Sequence, residues 1–179
     1  MTNFIFSGLK HSGKSTHGRL FAESRGLSFF DLDDLIEDKY FSEFSERLNC
    51  RQIFIKHGED FFRTFEIRIL EEFLSGCDEE PFVLALGGGV AYTPENMLQA
   101  CSAKAVLVYM KAPVDVLLKR ILEKGIPPFI SEDNPEEDFR KIYRERSEAQ
   151  ENSAAIVIEV SDREIETTQQ TVQERLKEY

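Results

Sequence analysis

A chain of 179 residues, 41% of them hydrophobic and 31% charged, is sized for a single domain with one core and is too apolar for general disorder. Its formal net charge of -11 excludes non-specific attraction to a nucleic-acid backbone, and its apolar runs are strand-sized, which excludes a membrane span. Cys50, Cys77 and Cys101 lie far apart without C-x-x-C spacing, so neither a disulfide framework nor a thiolate metal site is expected.

The first residues lack the basic, apolar and small-residue segments of a secretory signal, so a cytoplasmic location is the expectation. The apolar run at residues 3–7 reads as a buried strand, and it feeds directly into Gly8-Leu9-Lys10-His11-Ser12-Gly13-Lys14-Ser15. This is a complete G-x-x-x-x-G-K-[ST] loop in the context the motif requires, a strand before it and a helix after it. Such a turn aims backbone N–H groups and a helix dipole at one point, where a polyphosphate sits. Lys14 supplies a point charge for the β- and γ-phosphates, and Ser15 a hydroxyl ligand for magnesium.

A helix is predicted over residues 14–24, stopped by Gly26, then a short strand at 27–30 that ends in the acidic cluster Asp31-Leu32-Asp33-Asp34. Residues 58–74 form the clearest amphipathic helix, with Phe62, Phe65, Ile69 and Phe73 on one face as expected core. On that helix Arg63 can meet Glu59 or Glu66, each one turn away. Continuous apolar strands follow at 82–86, running into Gly87-Gly88-Gly89, and at 105–109, with a β-branched candidate at 155–160. Pro113 opens a helix ended by Gly125, residues 125–137 break periodicity as a candidate lid, and Asn134 and Pro135 suit the start of a helix through Arg146. Strands alternating with helices predict a parallel α/β sheet.

Taken in order, Gly8 to Ser15, Asp31-Leu32-Asp33, Phe62-Arg63-x-x-Glu66 and Gly87-Gly88-Gly89 resemble shikimate kinase, a P-loop small-molecule kinase family. The resemblance extends through Gly18-Arg19-Leu20, Ile36-Glu37 and Gly58-Glu59 to Arg146 and thins after residue 122. It implies a P-loop kinase fold: a five-stranded parallel sheet in order 2-3-1-4-5 with helices on both faces. Residues 1–179 would form one domain, with a substrate-binding segment at 33–62 and a lid at 120–137. It also implies transfer of the ATP γ-phosphate to the 3-hydroxyl of shikimate, with magnesium as the cofactor and ATP as co-substrate, in the chorismate and aromatic amino acid pathway.

Carried over residue by residue, the resemblance makes Lys14, Asp33 and Arg120 catalytic. It gives ATP contacts to Gly8, Lys10, His11, Ser12, Gly13, Lys14, Ser15, Thr16 and Arg120, the last on the adenine side. Shikimate falls to Asp33, Arg63, Gly87, Gly88, Gly89 and Arg146: arginines grip its carboxylate, glycines offer amides, and Asp33 takes the proton of the attacking hydroxyl. Ser15 and Asp31 hold the metal, and Glu66 holds Arg63. No nucleic acid, membrane or further partner is expected, and a monomer is.

The chain departs from the family at four places. The arginine usual before a Pro-Leu-Leu lid segment is absent where Pro127 precedes Pro128-Phe129-Ile130, and Lys124 is the nearest basic substitute. His11 stands where relatives commonly have glycine, Ser147-Glu148-Ala149-Gln150 replaces a Pro-Leu-Tyr pattern, and Ser161-Asp162-Arg163 is the only counterpart of an adenine loop. Two rival readings stay open: another P-loop kinase acting on a gluconate-like acid or a nucleotide, and a nucleotide-binding module without catalysis.

Overall fold

The computed structural model describes residues 2–77, 80–90, 97–131, 133–160 and 165–179. Five strands, β1 (Phe4–Ser7), β2 (Ser28–Asp31), β3 (Phe82–Ala85), β4 (Val106–Lys111) and β5 (Ile156–Glu159), form one sheet in the order β2-β3-β1-β4-β5. All four pairings are parallel. The expected order is therefore the observed one. Strand ends moved by one or two residues: β2 runs on to Asp31, because Asp31 pairs with Ala85, and β4 runs on to Lys111 beside Glu159.

The three central strands, β1, β3 and β4, are buried on both faces, and the period-two pleat divides their side chains between two cores. Phe4, Phe6, Val83 and Val108 face one core with Phe21, Leu117, Ile121, Phe139 and Val172. Those partners come from α1 (Lys14–Arg25), α6 (Val114–Lys124), α7 (Pro135–Ser153) and α8 (Ile165–Arg175). Ile5, Leu84 and Leu107 face the other, with Leu32, Ile36, Ile53, Phe65, Ile69 and Leu98. These belong to α2 (Leu32–Phe44), α3 (Cys50–His57), α4 (Glu59–Gly76) and α5 (Met97–Lys104).

Gly26 ends α1 at φ 66, donating its N–H to Ala22 and Glu23 carbonyls, as the sequence predicts. Pro135 begins α7, but the Asn134 side chain does not cap it; its Nδ2 instead donates to Glu137 at 2.5 Å. Phe73 is half-buried rather than core, because it lies at the rim, stacked edge-on against Phe30 and Phe82. No disulfide joins the three cysteines, and no helix among the described residues is long and apolar enough to cross a membrane. Residue 132 of the expected lid and the expected adenine-loop residues Ser161, Asp162 and Arg163 lie outside the described residues.

Topology brings the functional segments together. β1 lies between β3 and β4, so the connections leaving its carboxyl end and that of β3 emerge side by side at the point where strand order reverses. That crevice is where open α/β sheets bind ligands. The loop after β1, the glycines after β3 and Asp33, in the first turn of α2 after β2, all open there.

Candidate active site

The loop between β1 and α1 wraps tightly. Ser12 N–H donates to the Leu9 carbonyl at 3.1 Å, and Gly13 takes φ 90 as the residue before α1. A side chain at Gly13 would be strained, and no side chain caps α1, so the amides of its first turn are left to face the crevice. The crevice holds two cavities. The larger, about 520 Å³, is lined by residues 10–17 together with Asp33, Arg120, Lys124 and Thr168. Every loop position from Lys10 to Thr16 expected to contact ATP thus faces one space, together with Arg120. Gly8 lies beneath the loop, where an added Cβ would collide with the Ser12 hydroxyl.

The smaller cavity, about 100 Å³, is lined by Asp33, Arg63, Glu66, residues 87–89 and Arg146, walled by Phe54, Phe62 and Phe129. Lys10, Lys14 and Asp33 line both cavities. An acidic protein has gathered its cations here: among the described residues, Lys10, Lys14, Arg51, Arg63, Arg120, Lys124 and Arg146 line the pair, against only Asp33 and Glu66. Such a field concentrates anions in the cleft despite the net charge.

Arg63 is held from both sides. Its Nη1 donates to Glu66 Oε2 at 2.7 Å, and its Nε lies 3.7 Å from Glu59, so it meets both acids its helix position allows. Glu66 is 1% exposed. Burial pushes its carboxyl up, and the Arg63 guanidinium pulls it back toward ionisation. Arg146 donates from Nη1 to the Gly88 carbonyl at 3.2 Å and lies 4.9 Å from the centre of the Phe129 ring. The two arginines expected to grip a carboxylate come from α4 and α7 to one cavity.

At the junction, burial lowers the Lys14 pKa while Asp33 and Asp31 raise it; burial raises the Asp33 pKa while Lys14 lowers it. The two groups stabilise each other's charged forms across the boundary between cavities. His11 stands at φ 65, its main-chain oxygen accepting from Arg120 Nη1 at 2.9 Å. Burial, with Lys10, Lys124, Lys14 and Arg120 around it, holds its imidazole down at about 4. His17 Nδ1 lies 2.9 Å from Gln169 Oε1, a hydrogen bond that ties α1 to α8.

The glycines after β3 have a further reason for being glycine. A Cβ on Gly88 would come within 2.9 Å of Lys10 N, and one on Gly87 or Gly89 would collide with the Glu66 carboxylate or the Arg63 guanidinium. Their smallness therefore seats the chain's own loop and side chains in the cleft. Asp31 lines neither cavity. Its Oδ1 accepts from Asp33 N–H at 3.1 Å, capping α2 and fixing where Asp33 begins its helix. Sequence reading passed over Arg51, Phe54 and Cys50, all on α3, which was not foreseen as a helix. Its start carried the one available signal, Asn49 and Gln52, which form a reciprocal capping box.

A sequence model of the shikimate kinase family matches residues 10–177. A shikimate kinase of Thermoanaerobacter pseudethanolicus is 31% identical over 179 residues, covering 100% of this chain and 96% of that one. The solved shikimate kinase of Acinetobacter baumannii in complex with shikimate superimposes with a TM-score of 0.82 at 30% identity, covering 99% of this chain and 94% of that one. That of Bacteroides thetaiotaomicron superimposes with a TM-score of 0.79 at 24% identity, covering 98% of each chain, a likeness of fold.

Proposed function

The chain belongs to the shikimate kinase family, and we propose that it moves the γ-phosphate of ATP across the Lys14–Asp33 junction onto the 3-hydroxyl of shikimate. One observation carries this reading: a phosphate-loop cavity and an arginine-lined cavity share Lys10, Lys14 and Asp33 as their common wall. A donor in one and an acceptor in the other would meet only there, which is the positioning that phosphoryl transfer chiefly requires.

In this reading the β- and γ-phosphates lie on the amides of the first turn of α1 and beside Lys14. Arg63 and Arg146 fork onto the acceptor's carboxylate, with Glu66 keeping Arg63 in place. Phe54, Phe62 and Phe129 enclose its carbocyclic face and exclude water. Asp33 accepts the proton of the attacking hydroxyl, and that hydroxyl's oxygen bonds to the γ-phosphorus as the bond to the β-phosphate oxygen breaks and ADP leaves. Its raised pKa makes it the stronger base, and Lys14 keeps it ionised to act as one.

The donor set fits magnesium. Ser15 offers a hydroxyl to the donor cavity and Asp31 has a carboxylate oxygen beyond the one given to its cap, while the described residues form no cluster of three metal-binding side chains. A cation that retains waters and takes phosphate oxygens suits so sparse a set. Ser15, and Asp31 through water, would hold it, and when bound it neutralises charge on the polyphosphate. Lys124 lines the donor cavity from the last turn of α6, in reach of the phosphates where the family's lid arginine is missing. Residues 125–131 between α6 and α7 serve as the lid.

The test is ADP release from magnesium-ATP by the purified protein with shikimate, with gluconate and with no acceptor. Release dependent on shikimate is the expected result. Release with gluconate alone would transfer the reading to a sugar-acid kinase, and binding of both ligands without release would make the protein a non-catalytic relative.

A further inference from the structure

The inner face of α7 changes character along its length. Near its start it buries Phe139 and packs Ile142 and Tyr143 against the core, but from there to its end the side chains it buries are Arg146, Ser147 and Gln150. Arg146 belongs to the acceptor cavity. Ser147 and Gln150 line neither cavity, and they bound the Ser147-Glu148-Ala149-Gln150 stretch that phosphoryl transfer leaves unexplained.

This stretch packs on β4, and direct bonds tie the two elements before and after it. Tyr143 Oη donates to the Ala112 carbonyl at 3.1 Å, and Lys111 Nζ donates to Glu151 Oε1 at 3.0 Å. Between the ties Tyr109 of β4 is 0% exposed, Gln150 2% and Ser147 7%. Yet among the described residues the hydroxyls of Tyr109 and Ser147 and the Oε1 of Gln150 have no hydrogen-bond partner. Burial pushes the Tyr109 phenol up, and the Ser147 hydroxyl stands near enough to draw it back without closing a bond to it. Three polar groups buried in this way each lose their hydration, a cost that is avoided where something completes them. Two hydroxyls able to donate and an amide oxygen able only to accept are the complement of one water, which inside a protein makes about three such bonds.

We propose that Tyr109, Ser147 and Gln150 enclose one bound water, and that this bridged seat positions Arg146 for the acceptor's carboxylate. It rests on the acceptor reading of the smaller cavity. From Arg146 onward α7 fully buries no apolar side chain, so the directional bonds of the bridge set how the helix is turned against β4. That rotation decides where the Arg146 guanidinium enters the cavity, between the Gly88 carbonyl and the Phe129 ring. Tyr109, Ser147 and Gln150 are positioning residues, acting on the acceptor through Arg146.

Tyr109→Phe removes one hydroxyl and Gln150→Met removes the accepting oxygen, each at nearly constant side-chain volume. In steady-state ADP release, each variant is expected to raise KM for shikimate roughly two- to tenfold, the reach of one hydrogen bond, with kcat and the dissociation constant of ATP unchanged. Because one water serves both residues, the double variant should lose no more than the worse single one. Losses that multiply in the double variant overturn the shared bridge. A KM for shikimate unmoved in both single variants, whatever their melting temperatures, overturns the positioning role, and so does an equal loss for shikimate and ATP. No binding of shikimate by the wild type, measured by calorimetry, overturns the acceptor reading and the proposal with it. Should Gln150→Met fold poorly, Tyr109→Phe and Ser147→Ala make the same comparison.

Discussion

Arg51 Nη1 donates to the main-chain oxygen of Ile126 at 2.7 Å, although 75 residues separate them. The bond ties α3 to the segment after α6, and Phe54 meets Phe129 just beyond it with ring centres 6.2 Å apart. With Arg146 on Phe129 from α7, the proposed lid is held down on the acceptor side. Arg51→Ala removes one exposed hydrogen bond, worth about 0.5–1.5 kcal/mol, so KM for shikimate is expected to rise roughly two- to tenfold. The dissociation constant of ATP should not move, since Arg51 lines only the acceptor cavity. Steady-state kinetics with a parallel ATP titration checks both; an equal loss for the two ligands would contradict the placement.

Arg63→Ala should weaken shikimate far more than ATP, and it should also destabilise the fold. It leaves Glu66 buried without its guanidinium, and breaking a buried pair costs about 3–5 kcal/mol. Part of that cost is avoided by protonation, because burial already raises the Glu66 pKa. The folded variant then binds a proton that the unfolded chain releases, so its stability should increase as pH falls through the raised pKa of Glu66. Denaturant melts of Arg63→Ala at stepped pH measure this. Adding Glu66→Gln should remove this contribution to the pH dependence and restore much of the stability.

The phosphate loop and the buried parallel strands were legible in the sequence because each rests on local chemistry or on apolar runs that the sheet must bury, whereas the strand order and the pairing of Arg63 with Arg146 came only with the family resemblance. Arg51 was not. A single arginine on an eight-residue helix has no periodic signal, and its partner is a main-chain oxygen that any residue could supply. The glycines after β3 were foreseen as room for a ligand, and folding gives them a second reason: they touch Lys10, Glu66 and Arg63. Asp31 reads alike as cap or metal holder, since one carboxylate has an oxygen for each, and the cap is the role that packing displays.

The His11 imidazole has a consequence for stability. Its pKa is lowered from 6.5 to about 4 in the folded protein, so between those values the unfolded chain binds more protons. Stability of the nucleotide-free protein should therefore fall as pH drops from 6.5 to about 4, and His11→Gly should flatten that part of the profile. The variant also relieves the left-handed backbone at φ 65, worth about 1 kcal/mol or more, against a smaller loss from a freer unfolded chain. Thermal melts across this range should show His11→Gly more stable at every pH, with the gap widening toward acid. A constant gap would mean that the imidazole is as easily protonated folded as unfolded.

Lys124 and Pro127 divide the question of what replaces the lid arginine. Lys124 lines the donor cavity with Lys14 and Arg120, whereas Pro127 lines the acceptor cavity beside Phe129. Charge that develops on the transferring phosphoryl group is stabilised from whichever side holds a cation, and arginine fingers contribute roughly 10³ or more in kcat. A lysine lacks the planar fork and is expected to contribute less, so Lys124→Ala should lower kcat by roughly ten- to a hundredfold with KM for shikimate little changed. Pro127→Arg alone should add little, because Arg51, Arg63 and Arg146 already crowd that cavity with positive charge. In the Lys124→Ala background the same arginine should recover part of the lost kcat. Single-turnover rates of the two single variants and the double variant separate the outcomes: unchanged turnover in Lys124→Ala removes Lys124 from the reaction, and a loss without rescue places its action on the donor side alone.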